Sequence, residues 1–242
     1  MGVQTHVGFT TTQWSLIDQL HSEKPEIRRG AMNCLAESYW PPVYAWLRRS
    51  NKNPDEAAEI TQGFFADVIC GRGLFDKADS ERGRLRTLIL ASLKRYLVDR
   101  HRRETVRGAG RTISFDKIQN TGERNLVDAQ CSPDELFDRR WALATMERAI
   151  DQCREHFDST GKHAHWELFD RRVLRSNIYT VEPEPLTALV EELQFESNAS
   201  ASAAIQVVKR RLQAIIQEVV AETACSPEDQ EDEYRRFLDI LG

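Results

Sequence analysis

The residues that most clearly suggest chemistry are the cationic side chains between Arg82 and Arg111. This stretch holds ten lysines and arginines against two acidic residues, although the whole chain has a net charge of −5. Such a concentration of positive charge in an otherwise acidic protein is typical of a surface that binds a polyanion. Charge alone also allows a second interpretation, in which the segment is an ordinary solvated face of a basic helix.

Residue patterns for enzymatic chemistry are missing. The sequence contains no glycine-rich phosphate-binding loop, no HExxH metal motif and no nucleophile elbow. The five cysteines are widely spread and form no CxxC pair. His163 and His165 form an HxH pair without a Cys or carboxylate cluster at ligand spacing, which favours a structural or surface role. We therefore expect a protein that is not an enzyme, with no catalytic residues, no metal site and no cofactor.

Helix signals dominate the chain, and no convincing strand is present. Three segments begin with a capping residue, a proline at the first helical position and acids in the first turn, namely Asn53-Pro54, Ser132-Pro133 and Ser226-Pro227. Apolar residues also recur at the helical period in five stretches, which predicts an all-α fold. These apolar faces are Ala57, Ile60, Phe64, Phe65 and Val68; Leu85, Leu88, Ile89, Leu93, Tyr96 and Leu97; Phe137, Trp141, Met146, Ile150, Cys153 and Phe157; Leu186, Leu189, Val190 and Leu193; and Ile205, Val208, Leu212, Ile215, Ile216 and Val219.

A polar stretch with three glycines, from Thr105 to Cys131, separates two helical parts. The C-terminal tail, residues 226–242, carries an apolar stripe that predicts a helix. We expect it to pack against the second domain, with recruitment of a regulator as the alternative. The predicted boundaries are an N-terminal arm at 1–26, a first helical domain at 27–107, a linker at 108–132, a second helical domain at 133–225 and a C-terminal helical tail at 226–242.

Targeting signals are not apparent in the sequence. No apolar stretch is long enough to cross a bilayer. Residues 1–12 have neither the basic start nor the apolar block of a signal peptide. We therefore expect a cytoplasmic protein without a membrane partner.

Several short runs, in this order, resemble the extracytoplasmic-function (ECF) family of bacterial RNA polymerase sigma factors, in particular a subgroup abundant in planctomycetes. The resemblance touches nearly the whole chain. It implies two small helical domains joined by a linker that runs through the polymerase. The runs are TQWSL at 12–16, AESYWPPVY at 36–44, ITQGFF at 60–65, ADSERGRLR at 78–86, ASLK at 91–94, LFDRRWAL at 136–143 and VAET at 220–223.

The implied domains have different tasks. A region 2-like bundle binds the polymerase clamp and opens the minus-10 promoter element, and a region 4-like helix-turn-helix reads the minus-35 element. Opening DNA requires cations that bind phosphates and planar side chains that stack on bases. Tyr96 could stack on a base, but it fits the apolar core of the helix bundle equally well. The residues assigned to minus-10 DNA are Arg84, Arg86, Lys94, Arg95, Tyr96, Asp99, Arg100, Arg102 and Arg103; to minus-35 DNA, Ser200, Ser202, Gln206, Lys209 and Arg210; and to the polymerase, Asp55, Glu59, Thr61, Gln62 and Phe65.

The second domain departs from the family pattern. Its turn, at 194–198, lacks the usual glycine, and the residues that follow are small and almost uncharged. A recognition helix reads base edges from its first turns, so without nearby arginines we expect weak binding. The alternative function is a sigma-derived regulatory protein that binds polymerase or another factor without full promoter recognition. The expected partners are core RNA polymerase and promoter DNA at the nucleoid, with an anti-sigma or other regulatory protein as a further one.

Overall fold

The computed structural model describes residues 19–20, 22–69, 84–106, 131–176, 182–224 and 226–242. Within these ranges the chain is helical and has no β-strand, as the sequence predicts. An isolated antiparallel bridge joins Arg84 to Ala224. The helices with both ends among the described residues are α1 Pro25–Arg49, α2 Pro54–Phe64, α3 Leu85–Val106, α4 Pro133–Ser159, α5 His163–Phe169, α6 Leu186–Glu192, α7 Asn198–Ala221 and α8 Pro227–Leu241. A turn of π-helix continues α2 at Phe65–Ile69 and α5 at Asp170–Leu174.

The three predicted helix starts are confirmed. The Asn53 side chain accepts the backbone N–H of Glu56 at 2.8 Å. The Ser226 hydroxyl accepts the backbone N–H of Asp229 at 3.1 Å. At Ser132 the cap is reciprocal, because Ser132 accepts the Glu135 N–H at 3.2 Å and donates its own N–H to the Glu135 carboxylate at 2.7 Å. Each cap satisfies an N–H group that the helix itself leaves without an acceptor.

The chain divides into two compact units. Unit 1 comprises Met1–Ala144 together with Val220–Gly242, and unit 2 comprises Thr145–Val219. This division differs from the predicted boundaries, because the start of α4 and the whole of α8 group with unit 1. The C-terminal tail does not pack against the predicted second domain alone, because it contacts Asp138 and Trp141 of that domain and also Arg86 of the predicted first domain. The physical reason is a set of buried contacts from α8 to α3 and α4, described below.

Unit 1 is held together by apolar faces from five helices. The predicted faces of α2 and α3 are buried or half-buried, as their spacing requires. Helix α1 adds a further buried stripe at helical spacing and continues through Pro41 and Pro42. The fully buried large side chains of this unit include Leu35, Tyr39, Leu47, Ile60, Phe64, Ile69, Leu85, Ile89, Phe137, Trp141 and Phe237.

Unit 2 has two apolar clusters built by the later part of α4 and by α5, α6 and α7. Burial raises the pKa of the Cys153 thiol, in the first cluster, to about 11, so this cysteine is a neutral core residue. The first cluster contains Ala149, Cys153, Phe157, Trp166, Phe169, Val208, Ile215 and Val219. The second contains Leu168, Leu189, Ala201 and Ala204.

None of the helices in the described ranges is both long and apolar enough to span a bilayer.

Candidate nucleic-acid interface

Helix α3 carries most of the predicted DNA-binding residues and has two faces. Leu85, Ile89 and Leu93 are buried, whereas Lys94 and Arg95 are exposed. The exposed positions extend through the C-terminal half of the helix. We call Lys94, Arg95, Arg100, Arg102 and Arg103 the α3 basic segment.

Arg86 does not belong to an exposed surface, and its prediction as a DNA-binding residue is wrong. Its side chain is buried, and its Nε and Nη2 atoms donate to the two carboxylate oxygens of Glu233 at 2.9 and 3.0 Å. Its Nη1 atom donates to Asp138, and its guanidinium lies 4.9 Å from the centroid of the Trp141 ring. Glu233 is itself fully buried. Burial opposes the charge of Arg86, but these carboxylates outweigh it and raise its pKa above the ordinary value.

Further contacts place α8 against this part of α3 and α4. Phe237 packs edge-on against Trp141, with ring centroids 6.1 Å apart. Arg236 donates to Asp138 at 3.1 Å. Arg84, also predicted to bind DNA, is half-buried and pairs with Asp232 at 3.3 Å. The charge of Arg84 is thus compensated within unit 1.

Tyr96 is a core residue, which decides between its two possible roles. It is 9% exposed, and its ring packs edge-on against Phe64 at a centroid distance of 5.8 Å. A Cβ atom at Gly63 would lie only 2.5 Å from the Tyr96 hydroxyl oxygen. Glycine therefore lets α2 approach α3 at this point.

Three cations of the basic segment form ion pairs at the surface. Lys94 Nζ lies 2.6 Å from Asp134 Oδ2. Arg100 Nη2 lies 2.9 Å from Glu59 Oε1. Arg102 lies 3.9 Å from Asp99, one helical turn earlier. Asp99, assigned with the residues for minus-10 DNA, is exposed beside Arg102.

Asp134 accepts a second hydrogen bond, from the indole Nε1 of Trp46 at 2.9 Å. Partial burial opposes its ionisation, but the bonds from Lys94 and Trp46 outweigh burial and lower its pKa below the ordinary value. Asp134 therefore joins α1, α3 and α4 as a carboxylate. The adjacent Cys131 carbonyl accepts from Arg49 Nε at 2.7 Å.

Arg95 and Arg103 differ from the other cations of the segment. Both are exposed, and neither makes an ion pair with a residue that the structure describes. Val98, between them, is 40% exposed. Two guanidinium groups are thus presented to solvent within about two helical turns.

The predicted polymerase-binding residues separate into two groups. Asp55, Glu59 and Gln62 are exposed on α2. Thr61 and Phe65 are buried, so their prediction as contact residues is wrong. Both occupy the inner face of α2 and its π-helical continuation. The Thr61 hydroxyl donates to the Ala57 carbonyl at 2.7 Å.

Trp40 is an exposed aromatic residue that the site prediction missed. It is 36% exposed and packs on Phe65 with a centroid distance of 5.3 Å. Its sequence signal is the run Trp40-Pro41-Pro42, in which a large aromatic precedes two prolines inside a helix. The Trp40 ring thus adds apolar surface next to the π-helical turn after α2.

In unit 2, α6 and α7 form a helical hairpin. Gln194 ends α6 with a φ of +56°, and the Phe195 N–H reaches the Val190 carbonyl at 3.0 Å. Glutamine therefore takes the left-handed position where glycine is usual. Ser200 exchanges hydrogen bonds with Ser197, each backbone N–H donating to the other's hydroxyl at 3.1 Å. Ser200 is thus a helix-capping residue of α7.

The remaining predicted recognition residues lie at the surface of α7. Ser202, Gln206, Lys209 and Arg210 are all exposed. Their contact with minus-35 DNA stays a prediction.

An arginine clamp positions α6. Arg171 donates from Nε to Glu184 at 2.9 Å and from Nη1 to Glu192 at 2.6 Å. These bonds connect the π-helical turn after α5 with both ends of the segment that contains α6. Glu191 and Glu196 remain exposed on the hairpin.

The two histidines of the HxH pair have separate neighbours. His163 Nδ1 lies 2.7 Å from Asp158 Oδ1. The His165 ring stacks on Phe157 at a centroid distance of 6.4 Å and contacts Phe195 at 5.6 Å. Their side chains thus serve a surface ion pair and an aromatic stack.

Comparison with known proteins gives no family model that matches this chain, and no significant match among curated proteins or solved structures.

Proposed function

We propose that this protein is a transcription initiation factor that binds core RNA polymerase and directs it to promoter DNA. The observation that carries the proposal is the α3 basic segment, in which five cations lie between positions 94 and 103 of one helix. The runs that resemble ECF sigma factors support the same function. In this proposal unit 1 performs the region 2-like tasks, and the α6–α7 hairpin performs the region 4-like task.

Electrostatics assigns unequal roles to the cations. Arg95 and Arg103 contact phosphates first, because no described carboxylate competes for them. Lys94, Arg100 and Arg102 contact phosphates afterwards, because phosphate oxygens must first replace the exposed carboxylates that pair with them. Each phosphate contact changes the slope of log K against log salt by about −0.7 for single-stranded DNA.

Asp55, Glu59 and Gln62 are the proposed polymerase contacts. They lie on the exposed side of α2, and Trp40 provides apolar area nearby. A mixed acidic and aromatic surface of this kind suits a partner with basic and apolar side chains.

Reconstitution with core RNA polymerase on a library of promoter fragments tests the proposal. The wild-type protein is expected to give promoter-dependent transcripts. The double variant Arg95→Glu/Arg103→Glu is expected to bind polymerase normally and to lose those transcripts. Arg140→Glu is the matched control, since Arg140 is an exposed cation of α4 in the same unit. Normal transcription by the double variant, or loss of polymerase binding with it, would contradict the assigned role of the basic segment.

The surface of the α6–α7 hairpin favours a second candidate function. The first turns of α7 expose small or uncharged residues such as Ala199, Ser202 and Ala203, and Glu191 and Glu196 are exposed nearby. Such a surface attracts phosphates poorly. The second candidate is therefore a sigma-derived regulatory protein that binds polymerase or another factor without full promoter recognition. Polymerase binding without any promoter-dependent transcript would favour it.

A further inference from the structure

We propose that two carboxylates of the chain, Glu59 and Asp134, compete with nucleic acid for the α3 basic segment and so set its affinity. This inference rests on the proposed function. Glu59 reaches Arg100 at 2.9 Å, and Asp134 reaches Lys94 at 2.6 Å. Both acids come from other helices, α2 and α4, so the fold itself brings them to the basic segment.

The competition follows from the chemistry of the acceptors. Carboxylate and phosphate oxygens accept hydrogen bonds from the same N–H groups of lysine and arginine. A phosphate can reach the full donor set of Arg100 or Lys94 only after the carboxylate moves away. Each nucleic-acid contact at these two residues is therefore an exchange of one anion for another.

Burial decides which carboxylates can exchange. The Glu59 and Asp134 side chains are 69% and 52% exposed, and their partners Arg100 and Lys94 are 28% and 46% exposed, so both pairs are accessible to water and individually weak. The Glu233 carboxylate on Arg86 is fully buried, and its removal would leave a buried charge without compensation. The surface pairs can therefore exchange with phosphates, whereas the buried pair cannot.

Asp134 is the stronger of the two competitors. It accepts from Trp46 as well as from Lys94, and it lies in the first turn of α4, where the helix dipole favours an anion. These contacts hold it in place beside Lys94. Glu59 has the Arg100 guanidinium as its described partner.

Titration of the full chain with a fluorescein-labelled single-stranded DNA oligonucleotide, followed by anisotropy at low salt, tests the inference. Glu59→Gln and Asp134→Asn are each expected to tighten binding about two- to fivefold, with the larger effect for Asp134→Asn. The two effects should multiply in the double variant, because each acid has its own cation. Glu37→Gln is the matched control, since it removes one exposed negative charge from α1 without touching the basic segment.

The outcomes separate the inference from the proposed function. If wild-type binding is lost in Arg95→Glu/Arg103→Glu, but neither neutral variant binds more tightly than Glu37→Gln, the competition is overturned and the proposed function stands. If neither the wild type nor any neutral variant binds at low salt, both are overturned. A thermal melt checks the fold of Asp134→Asn. If that variant is destabilised, the DNA affinity of Glu59→Gln alone tests the competition.

Discussion

Among single residues, Gln194 holds a backbone conformation that side chains other than glycine adopt at a cost of about 1–2 kcal/mol. It closes α6 and lets the chain turn into α7. The glutamine side chain is exposed, so no buried contact compensates for this cost.

Gln194→Gly is therefore expected to stabilise unit 2 by about 0.5–1 kcal/mol, because relief of the left-handed strain exceeds the added flexibility of the unfolded chain. Urea denaturation measures the change. Gln213→Gly is a matched control, since the same substitution in the exposed interior of α7 should cost about 1 kcal/mol. Destabilisation by both variants would contradict the strain at Gln194.

The histidines near the start of α5 respond to acid in opposite directions. Burial, followed by the charge of Lys162, lowers the pKa of His165. The hydrogen bond to Asp158 raises the pKa of His163. Between the lowered pKa of His165 and the ordinary value of 6.5, the unfolded chain therefore binds more protons at position 165 than the folded chain, whereas between 6.5 and the raised pKa of His163 the folded chain binds more protons at position 163. His165 stabilises the fold above pH 6.5 and loses this effect on acidification, whereas His163 contributes below it.

His165→Phe is accordingly expected to reduce the loss of stability between pH 7 and pH 5.5, and His163→Gln to increase it. Denaturant titrations of both variants at the two pH values measure the difference from wild type. If the free energy of unfolding changed equally between pH 7 and pH 5.5 in both variants, the opposite pKa shifts would be contradicted.

At the scale of helices, one buried carboxylate of α8, Glu233, pairs with Arg86 of α3. Glu233→Ala leaves Arg86 buried beside Asp138 alone, and a buried charge that loses its partner typically costs about 3–5 kcal/mol. We expect a loss of this size in the free energy of unfolding, measured in urea.

Glu231→Ala provides the comparison. Glu231 is exposed and pairs with Arg235 one turn away at 3.2 Å, so its loss should cost less than about 0.5 kcal/mol. If the two variants lost similar free energies of unfolding, groups other than Glu233 would have to compensate the charge of Arg86.

Most of the described helices could be predicted from the sequence because caps and apolar period are local properties, but α1 and α5 were not among the predicted apolar faces. Asn53 and Ser132 accept the hydrogen bonds that their positions predict. The role of an individual cation could not be predicted in the same way. Arg86 and Arg95 look alike in a basic run, and only the approach of Glu233, from 147 residues away, makes the first a core residue.

The burial of individual aromatic side chains also could not be predicted from the local sequence. Tyr96 and Phe65 fit both an apolar stripe and a contact surface, and the helices packed against them decide. Trp40 lies outside the predicted faces, so its exposure depends on the course of α1. Long-range packing therefore determined which candidate site residues remained accessible.

At the scale of the whole molecule, unit 1 is assembled from two separate parts of the chain. Residues 220–242 supply buried side chains, among them Glu233 and Phe237, to a core whose remaining members precede position 145. Unit 2 is one continuous segment.

Deletion of residues 220–242 is therefore expected to lower amide hydrogen-exchange protection in α3 strongly, while α5 retains most of its protection. Mass spectrometry of peptides from the two helices measures this difference. Glu233→Ala should give a smaller loss in α3, because Phe237 remains. Equal losses in α3 and α5 would contradict the division into units.

The divided unit has a consequence for synthesis on the ribosome. Arg86 and Trp141 are made before the 75 residues of unit 2, and Glu233 and Phe237 are made after them. At about 5–20 residues per second, unit 2 takes roughly 4–15 s to translate. During that interval a nascent unit 1 exposes an aromatic ring and an arginine that the finished protein buries. We therefore expect the growing chain to be a better substrate for chaperones than the released protein, and unit 2 to complete its fold first.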